Sequence, residues 1–307
     1  MDKLIAVIGP TAVGKTAVSV GIAEELGCEI VSCDSMQLYR FMDIGSAKPS
    51  PEELSRVRHH LVGEINPDER FSVAIYRDLA SEAIRDMISR GITPLIVGGT
   101  GLYLDSILYD LDFSAEPSPD GIRDELYAYA EKEGPEALYN VLASENAEAA
   151  LRIHPNNTKR VVRAIEAARA GRGIADFSDV KTKGRRFDAT LIGLFRDRAE
   201  LYGRIDRRVD NIIECGLEDE VRRLMDMGLD EDDISMKGIG YKEMTAYIKG
   251  VLTLTEAADL IKKNTRHYAK RQETWFRRYD DCVRFDITGM DDSEALRGVL
   301  QWLKKRL

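Results

Sequence analysis

Apolar positions in the first hundred residues come in short unbroken runs, separated by longer stretches with a helical period. "LIAVI" at 4–8 is apolar throughout, as a strand buried on both faces of a sheet must be. A helical pattern follows at about 15–26 and stops at Gly27, and "EIVSC" at 29–33 reads as a second strand. After a loop come "HHLVGEI", a helix at about 72–90 and the strand "TPLIVGG" ending at Gly99. This βα alternation predicts an α/β fold with a parallel sheet covered by helices. Ligands of such sheets bind beyond the carboxyl ends of the strands. That rule gathers Gly9–Thr16, Asp34–Ser35 and Gly98–Gly101 at one edge.

The rhythm breaks near residue 113. "SAEPSPDG" reads as a linker, and the chain beyond it is helical at about 119–133, 135–144, 146–153 and 157–170. "GRRFDATLIGLF" returns to a strand at about 189–195. Helices at about 198–214, 217–227, 255–278 and 292–306 complete the chain. The expected organisation is a core of residues 1–112 and 187–307, with residues 113–186 as a mainly helical insertion domain.

Composition narrows the setting. Four scattered cysteines without a C-x-x-C pair suit reduced thiols in a cytoplasmic protein. Four histidines without ligand spacing suggest no zinc. No run is long enough to span a bilayer, and residues 1–9 do not resemble a secretory signal. The net charge of −9 argues against nucleic acid, yet its distribution does not. Residues 152–186 hold ten Lys/Arg against three acids, and residues 237–278 hold ten against four. Two basic blocks in an acidic chain are either anion-contacting surfaces or solvated helix faces.

The clearest chemistry lies in "GPTAVGKT", where Gly9, Pro10, Thr11, Ala12, Val13, Gly14, Lys15 and Thr16 follow a strand and open a helix. G-x-x-x-x-G-K-[ST] in that context is a phosphate loop, its backbone N–H groups curling around an anion. Lys15 would reach the outer phosphate and the Thr16 hydroxyl would ligate Mg²⁺. The motif names a phosphate, not a nucleotide. Asp34, at the end of the second strand, suits three roles: binding Mg²⁺, capping a helix, or taking a proton from a nucleophile. "VGGTGLY" is either a second backbone-contact turn or a helix start needing room. Arg204 and Arg208 share a helix face. They would neutralise a diphosphate, or else pair with Asp206 or Asp210. "SMKGIGYKE" and "HYAKRQETWFRR" set bases beside Tyr241, Tyr268, Trp275 and Phe276, a combination that suits phosphate contact with base stacking, or plain packing.

Together and in this order, "GPTAVGKT", "DSMQLYRFMDIGSAKP", "HHL", "VGGTGLY", "HPNNTKRVVRAIE", "RIDRRV", "KGIGYKE" and "AKRQETWFRRY" resemble the bacterial tRNA dimethylallyltransferases. These stretches run from residue 9 to 279. The resemblance implies a P-loop kinase-like core whose insertion grips the anticodon stem-loop. It implies transfer of a dimethylallyl group from dimethylallyl diphosphate to N6 of the adenosine 3′ of the anticodon, with Mg²⁺ as cofactor. The loop would then hold a diphosphate leaving group. Lys15, Thr16 and Arg208 would stabilise its charge, and Asp34 would accept the N6 proton. The alternative is an ATP-dependent small-molecule kinase.

By the same resemblance, Asp34, Ser35, Met36 and Gln37 would contact the target adenosine, and Thr100 resembles the tRNA-contacting threonine of the family's G-G-T turn. Further tRNA contacts would come from Arg123 and from Lys159, Arg160, Val161, Val162 and Arg163. A third set comprises Lys237, Gly238, Ile239, Gly240, Tyr241 and Lys242. The last comprises Lys270, Arg271, Gln272, Glu273, Thr274, Trp275, Phe276 and Arg277. Departures are small: Ser46 stands where threonine is common and Phe41 where glycine is common. The implied partners are tRNA and dimethylallyl diphosphate, with no membrane, and the chain acting as a monomer.

Overall fold

In the computed structural model, which describes residues 1–111, 121–171 and 184–306, β1 (Lys3–Ile8) lies between β4 (Pro94–Gly98) and β5 (Asp188–Phe195). β2 (Glu29–Cys33), β3 (His59–His60) and β6 (Val283–Asp286) complete a six-stranded sheet in the order β3-β2-β4-β1-β5-β6. Every pairing is parallel, as the βα rhythm predicts.

Leu4 to Ile8 are all buried, because each face of β1 meets a helical layer. Ile5 and Val7 join a cluster with Val18 and Ile22 of α1 (Lys15–Leu26) and Val299 and Leu303 of α13 (Asp292–Leu303). Their neighbours along the strand point to the opposite layer, since strand side chains alternate. There Tyr76, Ile84 and Met87 of α3 (Val73–Ser89) are fully buried. Tyr76 donates to Ser32 O at 3.0 Å and stacks on Tyr103 of α4 (Gly101–Leu108) at 4.0 Å between centroids.

The 23-residue α12 (Leu254–Phe276) packs against α4, α9 (Arg198–Glu214) and α11 (Tyr241–Ile248). α10 (Leu217–Asp226) lies against α9 and α11. Three elements go beyond the hydrophobic pattern. α2 (Pro51–Arg56) buries no residue, β6 is a half-exposed edge strand, and α11 is short and interrupts a basic stretch. Each lacks the extended apolar period that marks an element in sequence.

Residues Met1–Leu108 with Arg185–Leu307 form one compact unit, and Tyr109–Gly184 form another. The second is helical: α5 (Ile122–Glu133), α6 (Pro135–Glu145), α7 (Ala147–Arg152) and α8 (Thr158–Arg169). They enclose a core of Leu126, Leu138, Leu142, Val161, Val162 and Ile165. Asn146 and Asn157 cap α7 and α8 through their side-chain oxygens. Most of the expected linker and residues 172–183 of the first basic block lie outside the described residues. No helix among the described residues is long and apolar enough to cross a membrane.

β2 and β4 end side by side, with Cys33 paired to Gly98. A Cβ on Gly98 would stand 2.1 Å from the Cys33 carbonyl oxygen, and backbone cannot swing aside as a side chain can. Gly98→Ala is therefore expected to destabilise the protein by about 2 kcal/mol, read as a lower urea midpoint. An unchanged midpoint would show that the strand ends part freely.

Candidate active site

The carboxyl ends of β1, β2 and β4 open onto a cleft of about 540 Å³. After β1 the chain must turn tightly. A Cβ on Gly9 would stand 2.6 Å from Leu194 O, and Ala12 and Gly14 take φ of 64° and 113°. Gly14 caps α1 without a side-chain bond, so the first-turn N–H groups are left for an anion.

The loop carbonyls face the other way and take cations. Lys15 Nζ donates to Gly9 O at 3.0 Å and Pro10 O at 2.9 Å. Arg204 Nε donates to Ala12 O at 2.9 Å, and Arg196 Nε to Val13 O at 2.9 Å. Burial pushes the Lys15 ammonium down to about 8, Arg208 adding to the shift and Asp34 opposing it. The Arg208 guanidinium is also held below its ordinary value by burial, with Asp34 opposing. Arg204, Arg207 and Arg208 all line the cleft. The dull alternative for Arg204 and Arg208 is excluded by pairing, since Asp206 binds Arg266 at 2.8 Å and Asp210 binds Lys262 at 2.6 Å.

Asp34 faces this cluster from the end of β2. One of its open roles is realised: Oδ1 accepts from Met36 N at 2.9 Å and Gln37 N at 3.3 Å. Those bonds fix the carboxylate's direction while its second oxygen takes no hydrogen bond from the described residues. Ser35 N donates to Thr100 Oγ1 at 3.2 Å, and Thr100 N to Cys33 O at 3.1 Å. Burial, with the Asp34 charge adding to it, pushes the Tyr268 hydroxyl up to about 12.

The glycines of "VGGTGLY" need room because α12 presses on them. A Cβ on Gly99 would meet Gln272 Nε2 at 2.1 Å, and one on Gly101 would meet Trp275 Cδ1 at 2.2 Å. Beyond Gln37 the loop is held by Glu220 of α10, which accepts from the N–H groups of Asp43, Ile44 and Gly45 at 2.8, 2.8 and 3.0 Å. Tyr241 donates to the same carboxylate at 2.8 Å and accepts from Ser46 N at 3.0 Å.

Lys15, Thr16, Asp34, Gln37, Arg208 and Gln272 therefore share one cleft. Lys237, Lys242, Lys270, Arg271, Thr274 and Arg277 are exposed, and Gly238, Ile239, Glu273, Trp275 and Phe276 are half-buried. Gly240, Tyr241 and Gln272 are buried, so the expectation of RNA contact there narrows to their exposed neighbours. In the helical unit, Lys159, Arg160 and Arg163 are exposed on α8. Val161 and Val162 are core residues at 0 % exposure, and Arg123 makes a bidentate pair with Glu166 at 3.0–3.2 Å. The sequence places Arg207 on the helix with Arg204 and Arg208 but gives it no role, and it gives none to Asn211, Asp292 or Glu220. An arginine beside an arginine was the one available signal; the others are brought in by tertiary packing.

Lys15 is charged below about pH 8 and neutral above it. Pyrophosphate affinity, followed by calorimetry, is expected to fall as pH rises through 8, and this component should vanish in Lys15→Ala. Identical pH profiles for the two proteins would remove Lys15 from the anion site. Because the unfolded lysine holds its proton to about 10.5, the same group makes stability rise with pH between about 8 and 10.5.

Comparison with known proteins agrees with this outline. Residues 37–279 match the family model described as IPP transferase, and residues 2–66 match one described as isopentenyl transferase. A protein of Alkaliphilus oremlandii named tRNA dimethylallyltransferase is 47% identical over 295 residues, covering 96% of this chain and 94% of its own. The crystal structure of a full-length tRNA isopentenylpyrophosphate transferase from Bacillus halodurans superposes with TM-score 0.74 at 42% identity, over 99% of this chain and 96% of that one. A eukaryotic dimethylallyltransferase structure, described as acting on tRNA, gives TM-score 0.78 at 26% identity, over 94% of this chain and 75% of that one.

Proposed function

The chain belongs to the IPP transferase family, and on that premise we propose that it is a prenyl-transferring enzyme whose acceptor is tRNA. The reaction is transfer of a dimethylallyl group from dimethylallyl diphosphate to N6 of the adenosine 3′ of the anticodon. The observation that carries this reading is a carboxylate, Asp34, facing a phosphate loop and three arginines across one cleft. A phosphate loop alone would serve many reactions. A directed carboxylate opposite the leaving-group site is what amine alkylation requires.

As the allylic C–O bond breaks, its electron pair leaves with the diphosphate, and Lys15 and Arg208 stabilise the charge that builds there. Burial strengthens that stabilisation, since the same charges are worth less in water. The N6 lone pair forms the new C–N bond, and its proton passes to Asp34, already oriented by Met36 N and Gln37 N. The adenine leaves its stack to reach the cleft, a modest cost in a single-stranded loop. Thr100, which receives Ser35 N, keeps the Asp34–Gln37 segment in register with the adenine.

The donor set also suits Mg²⁺. Among the described residues no cluster of three His, Cys, Asp or Glu could cage a metal, and the cleft offers the hard oxygens of Thr16 and Asp34. That suits an ion that keeps several waters and takes its remaining ligands largely from phosphates. Thr16 would hold it, and it would neutralise diphosphate charge. The tRNA is assigned to the exposed cations: Lys159, Arg160 and Arg163 on α8, and Lys237, Lys242, Lys270, Arg271 and Arg277 in the second block. The chain is taken to act as a monomer.

Labelled dimethylallyl diphosphate and an unmodified tRNA with adenosine 3′ of the anticodon test the reaction. Label is expected on N6 and is expected to be lost with Lys15→Ala; ATP consumption without label would overturn the reading. Asp34→Ala is expected to lower kcat about a thousandfold with tRNA affinity retained. A normal rate at saturation would remove Asp34 as the base. Replacing Lys159, Arg160 and Arg163 together by alanine should weaken tRNA binding and reduce the salt slope by about 2–3. An unaltered slope would place the tRNA elsewhere.

A further inference from the structure

Gln272 sits in the middle of the exposed, basic end of α12, yet it is 4 % exposed. Both ends of its amide are used. Oε1 accepts from Thr11 N at 2.9 Å, and Nε2 donates to Gly99 O at 3.0 Å. The first partner belongs to the phosphate loop after β1. The second belongs to the turn after β4, whose next residue, Thr100, receives Ser35 N and so fixes the segment that begins at Asp34. The close approach depends on glycine, since a Cβ on Gly99 would stand 2.1 Å from Gln272 Nε2.

We propose that Gln272 is a positioning residue which locks the diphosphate-holding loop to the acceptor-holding turn and so sets the distance between leaving group and base. The proposal rests on the transferase reading of the cleft, and it gives Gln272 a role other than RNA contact. An amide suits the task because one partner is a donor and the other an acceptor, and a carboxamide presents both from one neutral planar group whatever the pH. The bridge also takes Thr11 N–H out of the set of loop donors, so the anion is left to the N–H groups nearer Gly14. A small error in the separation of reacting groups is costly, since alignment supplies much of the acceleration in a two-substrate reaction.

The two roles differ in what they change. If Gln272 touched RNA, its loss would raise KM for tRNA and leave pyrophosphate binding intact. As a lock, its loss changes the loop with no RNA present. Gln272→Met keeps the volume and removes both hydrogen bonds. Its Kd for inorganic pyrophosphate, measured by calorimetry without RNA, is expected to rise about tenfold. kcat is expected to fall at least as far, and KM for tRNA to stay within about twofold of the parent. Lys270→Ala, two residues away and exposed, is expected to give the opposite pattern. Where Gln272→Met does not fold, Gln272→Asn takes its place: it keeps a neutral amide on a stem one methylene shorter, which cannot span Thr11 N and Gly99 O together, with the same expectation.

Unchanged pyrophosphate affinity in the folded variant overturns the lock, whatever kcat does. So does a rise confined to KM for tRNA, which returns Gln272 to RNA contact. The pyrophosphate measurement needs no turnover, so it reports on the lock even if the parent protein fails to label tRNA; that failure would count against the reaction alone.

Discussion

A phosphate loop points its N–H groups inward, and its carbonyls must then find partners on the outside. Here the side chains that reach those carbonyls are cations, beside one backbone contact from Val13 N to Pro10 O at 3.4 Å. Lys15 takes Gly9 O and Pro10 O, Arg204 takes Ala12 O, and Arg196 takes Val13 O. The carbonyls therefore do two things at once. They satisfy buried acceptors, and they hold three like charges near a site meant for an anion. Arg196 is anchored further by Ile287 O and Met290 O, which ties the loop to the segment before α13. Burial depresses the Lys15 ammonium, repulsion from Arg208 adds to the shift, and Asp34 opposes both. An arriving diphosphate relieves that repulsion, and the site's preference for it follows.

The acceptor side is built by a different device. Its backbone is kept thin by glycine so that side chains from distant helices can grip it. Gln272 and Trp275 lie against Gly99 and Gly101, Tyr241 against Gly45, and Met36 against Gly238. Glu220 presents one buried carboxylate to three successive N–H groups, the arrangement by which a backbone nest binds an anion. In this loop the anion is supplied by the chain itself, so the turn is filled and rigid before any substrate arrives. Hydrogen bonds to a charged acceptor are the stronger kind, about 1.5–3 kcal/mol each. The loop after Gln37 is consequently held as firmly as a strand, without being one.

This division explains what the sequence could disclose. The phosphate loop is local: strand, glycines, Lys15 and helix lie within one short stretch, and nothing distant is needed to recognise it. The parallel sheet was legible for a similar reason, since β1, β2 and β4 are runs of mostly buried residues and β5 ends in the largely apolar "LIGLF". β6 was not, because an edge strand with half its residues exposed carries no apolar run. Glu220 and Gln272 were not legible as braces at all. Their partners lie 175 and 261 residues away, and a polar residue inside an amphipathic helix looks the same whether it faces water or a buried amide. The family resemblance marked the segment around Gln272 but assigned it by neighbourhood, and burial separates this side chain from the cations beside it.

Pairing, finally, decides what charge counting left open. In the helical unit Arg152, Arg169 and Arg123 each bind an acid of their own unit: Glu148, Glu145 and Glu166. Those cations are spent internally. Lys159, Arg160 and Arg163 have no ion pair among the described residues, and they share the first turns of α8. Along α12 the same split runs by position. Lys262 and Arg266 bind Asp210 and Asp206 of α9, whereas Lys270 and Arg277 further on bind no acid among the described residues. A net charge of −9 is thus compatible with a polyanionic partner, because acids match the cations that brace helices while Lys159, Arg160, Arg163, Lys270 and Arg277 bind none among the described residues; Lys242, by contrast, pairs with Glu243 at 3.5 Å. The unmatched set, rather than the total, carries the counterion release that drives association with RNA.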